Sequence, residues 1–229
     1  KLRARFPEIS REQAYADIRQ ACQLWNKYDP STLDLGSFMK NPASAWPSIK
    51  EIFYEHWGQA SPNPAHYALA KMESMGLIKG IVTMNIDALH QKAGSQNVVE
   101  YHGTLESMVC LKCGKRISSS SANLSEMPPK CQCGGALKPD FIFFGEGIPA
   151  DAYQKSIEMA LEADLVIVVG TTGEVMPACY IPTIAAQKGA KIVEINPSES
   201  AYTRSITTHY IRQAAGEALS RILGIIQGS

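Results

Sequence analysis

The 229-residue chain lacks most of the features that settle a protein's class at a glance. No apolar run approaches the roughly 20 residues that span a bilayer, so no segment reads as a transmembrane helix. Its opening, KLRARFPEIS, carries positive charge but no apolar stretch and does not read as a secretory signal. Lysine plus arginine (22) balance aspartate plus glutamate (22), and no basic block occurs, so a nucleic-acid partner is not expected. There is no internal repeat. The dinucleotide fingerprint GxGxxG is also missing, which argues against an ordinary dehydrogenase. Hydrophobic residues at 45% and charged residues at 19% suit a soluble globular protein with one large domain, or one domain carrying a small insertion.

What is present alternates between helical and extended patterns. HYALAKMESMG (66–76) has helical spacing after an Asn-Pro start and ends at a glycine. DAYQKSIEMALEA (151–163), IPTIAAQKGA (181–190) and GEALSRILGII (216–226) are further helices. KGIVTMNID (79–87), DLVIVVGTT (164–172) and AKIVEINP (190–197) are strands, and the second is apolar enough to be buried on both faces of a parallel sheet. SSSSANLSEMPP (118–129) reads as loop. This order predicts an α/β fold, a Rossmann-like doubly wound parallel sheet. Ligands of such sheets bind beyond the C-terminal strand ends. Three strands here end in TMNID, VGTT and EINP, small and polar residues suited to ribose and phosphate. The plainer alternative is that these residues only make turns.

The six cysteines are Cys22, Cys110, Cys113, Cys131, Cys133 and Cys179. Four fall within 24 positions as CxxC and CxC, each pair followed by a glycine, Gly114 and Gly134. That is the pattern of a metal knuckle, and four thiolates complete a tetrahedral Zn²⁺ shell. A closed shell leaves no place for water, so the zinc is expected to be structural. The alternative is four unligated core thiols. Block 110–133 lacks a long apolar run and is expected to use the metal in place of a core. The expected division is a nucleotide-binding domain over 1–109 and 134–229, with a helical insertion around 31–60, and a zinc lobe over 110–133. Clustered rather than spread cysteines favour a reducing, cytoplasmic setting over a secreted disulfide framework. With four thiolates available, zinc does not need His102, which lies eight residues before Cys110 at the exit of a strand. Histidine exchanges a proton near neutral pH and is the natural general base.

TMNIDALHQKAGS, VEYHGTLESMVCLKC, CQCGGALKPDFIFFGE, VGTTGEVMPA and VEINPSES, in this order, resemble the sirtuins, NAD-dependent protein-lysine deacylases. The resemblance runs from about Leu24 to the C-terminal helix. It implies a large NAD-binding domain and a zinc lobe, with NAD and an acyl-lysine peptide meeting between them. Through the HG match His102 would be the general base, acting on a hydroxyl of the nicotinamide ribose, and the acyl group would pass to ADP-ribose. Asn85, Ile86 and Asp87 of NID would serve the nicotinamide and ribose pocket. Gly170, Thr171 and Thr172 would line the phosphate and ribose site, Asn196 would bind the adenosine ribose, and Ala215 would touch adenine. Phe144, Gly145 and Glu146, with Gly173, Glu174 and Val175, would flank the peptide by β-augmentation. Cys110, Cys113, Cys131 and Cys133 would hold the zinc. Other uses of the same cleft are NAD glycohydrolysis, ADP-ribosyl transfer, or binding of NAD or peptide without turnover. No membrane partner is expected, and a monomer is compatible with the sequence.

Three departures stand out. Sirtuins carry an early strand and a GAGIS…GIPDFR loop over the NAD diphosphate; here EQAYADIRQACQ (12–23) runs directly into LWNKYDP (24–30). The favoured expectation is that the sequence closes up over further residues between Gln23 and Leu24; the other is a degenerate or engineered form. Met84 replaces the usual glutamine before NID. Trp57 replaces the arginine that, with Tyr54, marks succinyl-lysine selectivity, so uncharged acyl groups are expected.

Overall fold

The computed structural model describes residues 30–228. The Gln23–Leu24 junction lies outside the described residues. A 3₁₀ turn, Pro30–Leu33, leads into two short helices, α1 (Leu35–Lys40) and α2 (Pro42–Ile49), and a π-helical turn, Lys50–Tyr54. Asp34 caps α1, its carboxylate accepting from Ser37 N–H at 2.8 Å. Helix α3 (Pro64–Ser74) begins with a reciprocal capping box. The Asn63 side chain accepts from the Ala65 and His66 amides, and His66 Nδ1 accepts from Asn63 N–H at 3.2 Å.

Two parallel sheets follow. β1 (Ile81–Thr83) pairs with β2 (Val98–Glu100) across the short helix α4 (Leu89–Lys92). β6 (Leu165–Val169), β7 (Lys191–Ile195) and β8 (His209–Ile211) form the other, in that order. Between the two in sequence lies an antiparallel sheet of β3 (Gly103–Cys110), β4 (Arg116–Ser118) and β5 (Leu137–Phe141), with β3 central. Helices α5 (Ala150–Glu162), α6 (Tyr180–Gln187) and α7 (Ala215–Ile226) complete the chain. The α/β class with parallel strands and an inserted cysteine lobe is as the sequence pattern predicts; among the described residues the parallel strands pair as two sheets, β1 with β2 and β6 with β7 and β8. β1 and β6 carry no hydrogen bonds to each other, although Val82 and Val166 pack against one core cluster with Val168 and Ile192.

This separation corrects the reading of β6 as buried on both faces. Leu165 is 51% exposed, and within β6 only Val168 is fully buried. The reason is that β6 pairs with β7 on one side and with no described strand on the other. An apolar run shows the composition of a strand but not how many neighbours it has.

The cysteine lobe is not coreless either. Cys110 and Cys131 share a buried cluster with Leu105, Met108, Leu137 and Trp46. Trp46, fully buried, donates from Nε1 to the Leu137 carbonyl at 2.8 Å and joins α2 to β5. Leu105, Met108 and Cys110 on β3, spaced across a register shift in its pairing with β5, and the stripe Ala45, Trp46 and Ile49 on α2 thus meet in one core. The serine-rich stretch is loop only in part, since it completes β4 and supplies a 3₁₀ turn, Ser119–Ser121.

Candidate active site

The site is built where β1 ends. Thr83 is buried, and its hydroxyl accepts from Asn85 N–H at 3.1 Å, turning the chain out of the strand. The Ile86 carbonyl accepts from Leu105 N–H at 2.9 Å, which ties the turn to β3. Asp87 Oδ1 accepts from Leu89 N–H at 3.0 Å, and Ala88 takes the left-handed conformation at φ 56° to admit α4. Left-handed backbone at a residue other than glycine costs energy and tends to gather at functional sites.

His102 approaches the same turn from β2. Its carbonyl accepts from Ile142 N–H at 2.9 Å. The glycine that follows is obligatory. Gly103 sits at φ +76°, and a Cβ there would lie 2.1 Å from the Asp140 carbonyl oxygen and 2.9 Å from Phe141 Cα. Met84, Asn85, Ile86, Asp87, His102, Phe141 and Ile142 line an open cleft of about 440 Å³. His102 is half-buried. Burial holds its pKa below the ordinary histidine value, and a hydrogen bond to the Met84 backbone pulls the other way. The imidazole is therefore neutral at pH 7 and free to take a proton.

A second group lies at the ends of β6 and β7. Asn196 Nδ2 donates to the Thr171 carbonyl at 2.7 Å, and Gly170 N–H donates to the Ile195 carbonyl at 3.1 Å. Gly173 is packed so closely on the Tyr202 ring that a Cβ would come within 2.8 Å. Thr172 is exposed beside them, and its carbonyl accepts from Ala201 N–H. Ala215 opens α7 and packs in the cluster of Ile195 and Ala218. Asn85, Ile86, Asp87 and His102 are thus gathered into one cleft, whereas Gly170, Thr171, Thr172, Asn196 and Ala215 do not line it.

The peptide-flanking residues behave unevenly. Phe144 is 61% exposed, yet its main-chain N–H and carbonyl are both paired, with Leu33 O at 2.8 Å and Leu35 N–H at 2.9 Å. It therefore offers no free main-chain edge. The Glu146 carboxylate points inward, where Lys138 Nζ lies 2.9 Å away and Phe143 N–H donates at 2.8 Å. Gly145, Glu174 and Val175 are exposed, although the Val175 carbonyl accepts from Cys179 N–H. Sequence reasoning missed Lys138, Phe141 and Ile142.

The cysteine ligand atoms are already assembled. All four Sγ atoms lie within 4.8 Å of one another, with Cys110–Cys133 at 3.5 Å and Cys113–Cys131 at 3.9 Å. A tetrahedron with Zn–S bonds of about 2.3 Å has edges of about 3.8 Å, whereas a disulfide would need about 2.05 Å. The donor set fits zinc. Main-chain N–H groups of Cys113 and Lys112 hold the Cys110 thiol down to about 6, while Cys113, which the Lys115 main-chain N–H lowers, is pushed up to about 11 by the neighbouring thiols of Cys133, Cys110 and Cys131.

The model of the Sir2 family matches residues 8–177, a span that holds the four cysteines, His102 and the Asn85–Asp87 turn. The chain belongs to the Sir2 family. Among relatives, the NAD-dependent protein deacylase 2 of Pyrobaculum aerophilum is 42% identical over 220 residues, covering 94% of this chain and 86% of its own length. The NAD-dependent protein deacylase of Pyrococcus abyssi is 40% identical, covering 94% and 88%. A solved Sir2 homologue in complex with NAD superposes with a TM-score of 0.81 at 35% identity, over 90% of this chain and 80% of that one. A Sir2 protein bound to acetylated peptide gives 0.82 at 34% identity, over 89% and 86%. Asn196 and Ala215 lie beyond the span that the family model matches.

Proposed function

We propose that this protein is an NAD-dependent protein-lysine deacylase, which transfers the acyl group of acyl-lysine to ADP-ribose and releases nicotinamide. One observation carries the reading: a half-buried, neutral histidine shares a strand-end cleft with Asn85 and Asp87 in a chain of the Sir2 family. The curated relatives named as NAD-dependent protein deacylases and the solved NAD and acetyl-peptide complexes support it. When bound, NAD supplies the ribosyl carbon that accepts the acyl oxygen as nicotinamide departs. His102 is the general base and takes a ribose hydroxyl proton. Asn85 and Asp87, held by Thr83 and by the α4 cap, orient the ribose and the nicotinamide amide. Gly170, Thr171, Thr172, Asn196 and Ala215 serve the phosphate and adenosine half. Asn196 spends its amide N–H on Thr171 and keeps its oxygen for a ribose hydroxyl.

In the same reading Cys110, Cys113, Cys131 and Cys133 hold a structural zinc, in a lobe over 110–133 between the two parts of the nucleotide domain. Location in the cytoplasm agrees with thiols grouped for a metal; among the described residues no helix is long and apolar enough to cross a membrane. The peptide pairs with main chain near Gly145 and Glu146 and near Gly173–Val175. Its acyl group is uncharged, because Trp57 stands where a carboxylated group would need an arginine.

The test is product analysis by mass spectrometry with NAD and an acetyl-lysine peptide. Acetyl-ADP-ribose is expected, and NAD loss without peptide would instead mean glycohydrolysis. Succinyl-lysine turning over faster than acetyl-lysine would overturn the acyl assignment. A second reading, binding without turnover, draws on the edges of β1 and β6 that pair with no described strand. NAD binding with no product from either peptide would favour it.

A further inference from the structure

The turn proposed to carry the peptide is held from beneath by a lysine with no role in the chemistry above. Lys138 sits within β5 between Leu137 and Pro139 and is only 6% exposed. A buried ammonium needs an acceptor for each of its three N–H groups. Nζ finds them in the Pro139 carbonyl at 3.0 Å, the Phe141 carbonyl at 2.8 Å and Glu146 Oε2 at 2.9 Å. The Phe143 ring centroid lies 4.2 Å from the same nitrogen. Burial pushes the Lys138 pKa down, and the Glu146 carboxylate opposes that shift.

Glu146 passes this anchorage to the turn. Its Oε2 accepts from Phe143 N–H at 2.8 Å, and its own N–H donates to the Phe143 carbonyl at 3.0 Å. Gly145, at φ +79°, supplies the left-handed residue that closes the four-residue turn. The Phe143 ring is buried against Phe38 and Phe141, while Phe144 and Gly145 stay outside. The turn is therefore fixed within at Phe143 and Glu146 and at Phe144 by Leu33 and Leu35, and it leaves Gly145 exposed.

We propose that Lys138 is a positioning residue for the acyl-lysine peptide: through Glu146 it sets the direction of the main-chain groups around Gly145 that pair with the substrate. This rests on the assignment of that turn as a peptide edge. β-Augmentation draws its affinity from main-chain hydrogen bonds, so an edge ordered in advance spares the peptide the cost of ordering it. Without Lys138, the Glu146 carboxylate loses its counter-charge and swings outward, and the turn loosens.

The experiment uses the full chain with zinc bound and compares Lys138→Met with the double variant Lys138→Met/Glu146→Leu. In Lys138→Met the peptide KM is expected to rise about tenfold, while kcat and the KM for NAD stay within about twofold and zinc content is unchanged. The double variant removes the unpaired carboxylate, so its melting temperature recovers towards wild type while its peptide KM stays raised. A peptide KM that returns to wild type along with stability would overturn the proposal, as would a wild-type KM in Lys138→Met. A peptide methylated on the backbone nitrogens flanking the acyl-lysine separates the two claims. It should bind wild type more weakly than the parent peptide and respond little to Lys138→Met. If it binds wild type as well as the parent does, the peptide-edge assignment has failed. If it binds more weakly but Lys138→Met leaves the parent KM unchanged, the role of Lys138 alone has failed.

Discussion

The cysteine lobe and the proposed nucleotide side of the molecule assemble their sites in different ways. In the lobe, four ligand atoms from residues at most 23 positions apart lie within one coordination sphere, on a three-stranded antiparallel sheet with shared core. On the proposed nucleotide side, the Asn85–His102 cleft lies between the ends of β1–β2 and the antiparallel strand β5, the Gly170–Asn196 cluster lies at the ends of β6 and β7, and β1 and β6 share no hydrogen bond. The lobe is organised by local chain closure. The nucleotide site depends on packing between segments far apart in sequence.

If that contrast holds, disturbing the metal shell should have the largest structural effect. Cys131→Ser is expected to lose zinc and to cost about 4 kcal/mol or more, a fall of about 10 °C in melting temperature. Elemental analysis together with calorimetry reads both; a stable, zinc-loaded variant would mean that the shell is not as described. Next comes His102→Ala. Loss of a general base should lower kcat by about 10²–10⁴-fold while zinc content and melting temperature stay near wild type. Zinc loss in this variant would show that the histidine belongs to the lobe after all. Gly103→Ala tests the seam between the two regions. The added Cβ meets main chain that cannot give way, so a loss of about 1–3 kcal/mol in urea unfolding is expected, with a lower kcat because His102 is displaced.

The smallest effect concerns the nucleotide side alone. The His66 and His90 rings stand 4.7 Å apart, with Asp87 the nearby charge. Burial holds His66 below the ordinary histidine pKa. Burial and then the neighbouring His66 hold His90 down, and Asp87 opposes both shifts. The unfolded chain binds these protons at a higher pH than the folded one does. Stability is therefore full above about pH 6.5 and declines as pH falls through the lower folded values. Protonation at His66 Nδ1 would also cost α3 its reciprocal cap. Melting temperature should fall from about pH 7 to about pH 5.5, and His90→Asn should flatten that slope. His102, shifted in the same direction, leaves a residual slope that His102→Ala removes.

Much of this was legible before folding was considered, and the residues show why. The CxxC and CxC pairs place ligands within a turn of each other, so spacing alone predicted their convergence. The helix read at 66–76 and observed at Pro64–Ser74, and the strand that ends at Thr83, declare themselves through local patterns of proline, asparagine and β-branched residues. Lys138 was illegible because a lysine in a strand normally faces water. Its burial depends on a turn that brings Glu146 back beneath the strand. The pairing of Phe144 with Leu33 and Leu35 joins segments more than 100 positions apart, and neither shows a free or occupied edge in its own sequence.

Composition and spacing therefore decided the class of elements, the convergence of four cysteines, the histidine at a strand exit and the family to which the chain belongs. Those properties are local: they follow from backbone preference and from side chains within a few residues of each other. Tertiary structure decided that the described parallel strands stand as two sheets, that the apolar β6 has no described strand on one side, and that the Glu146 carboxylate turns inward to a buried lysine. Each of these depends on which neighbour occupies the space beside a strand or beneath a turn. That is set by packing across the whole chain, which no short window of sequence contains.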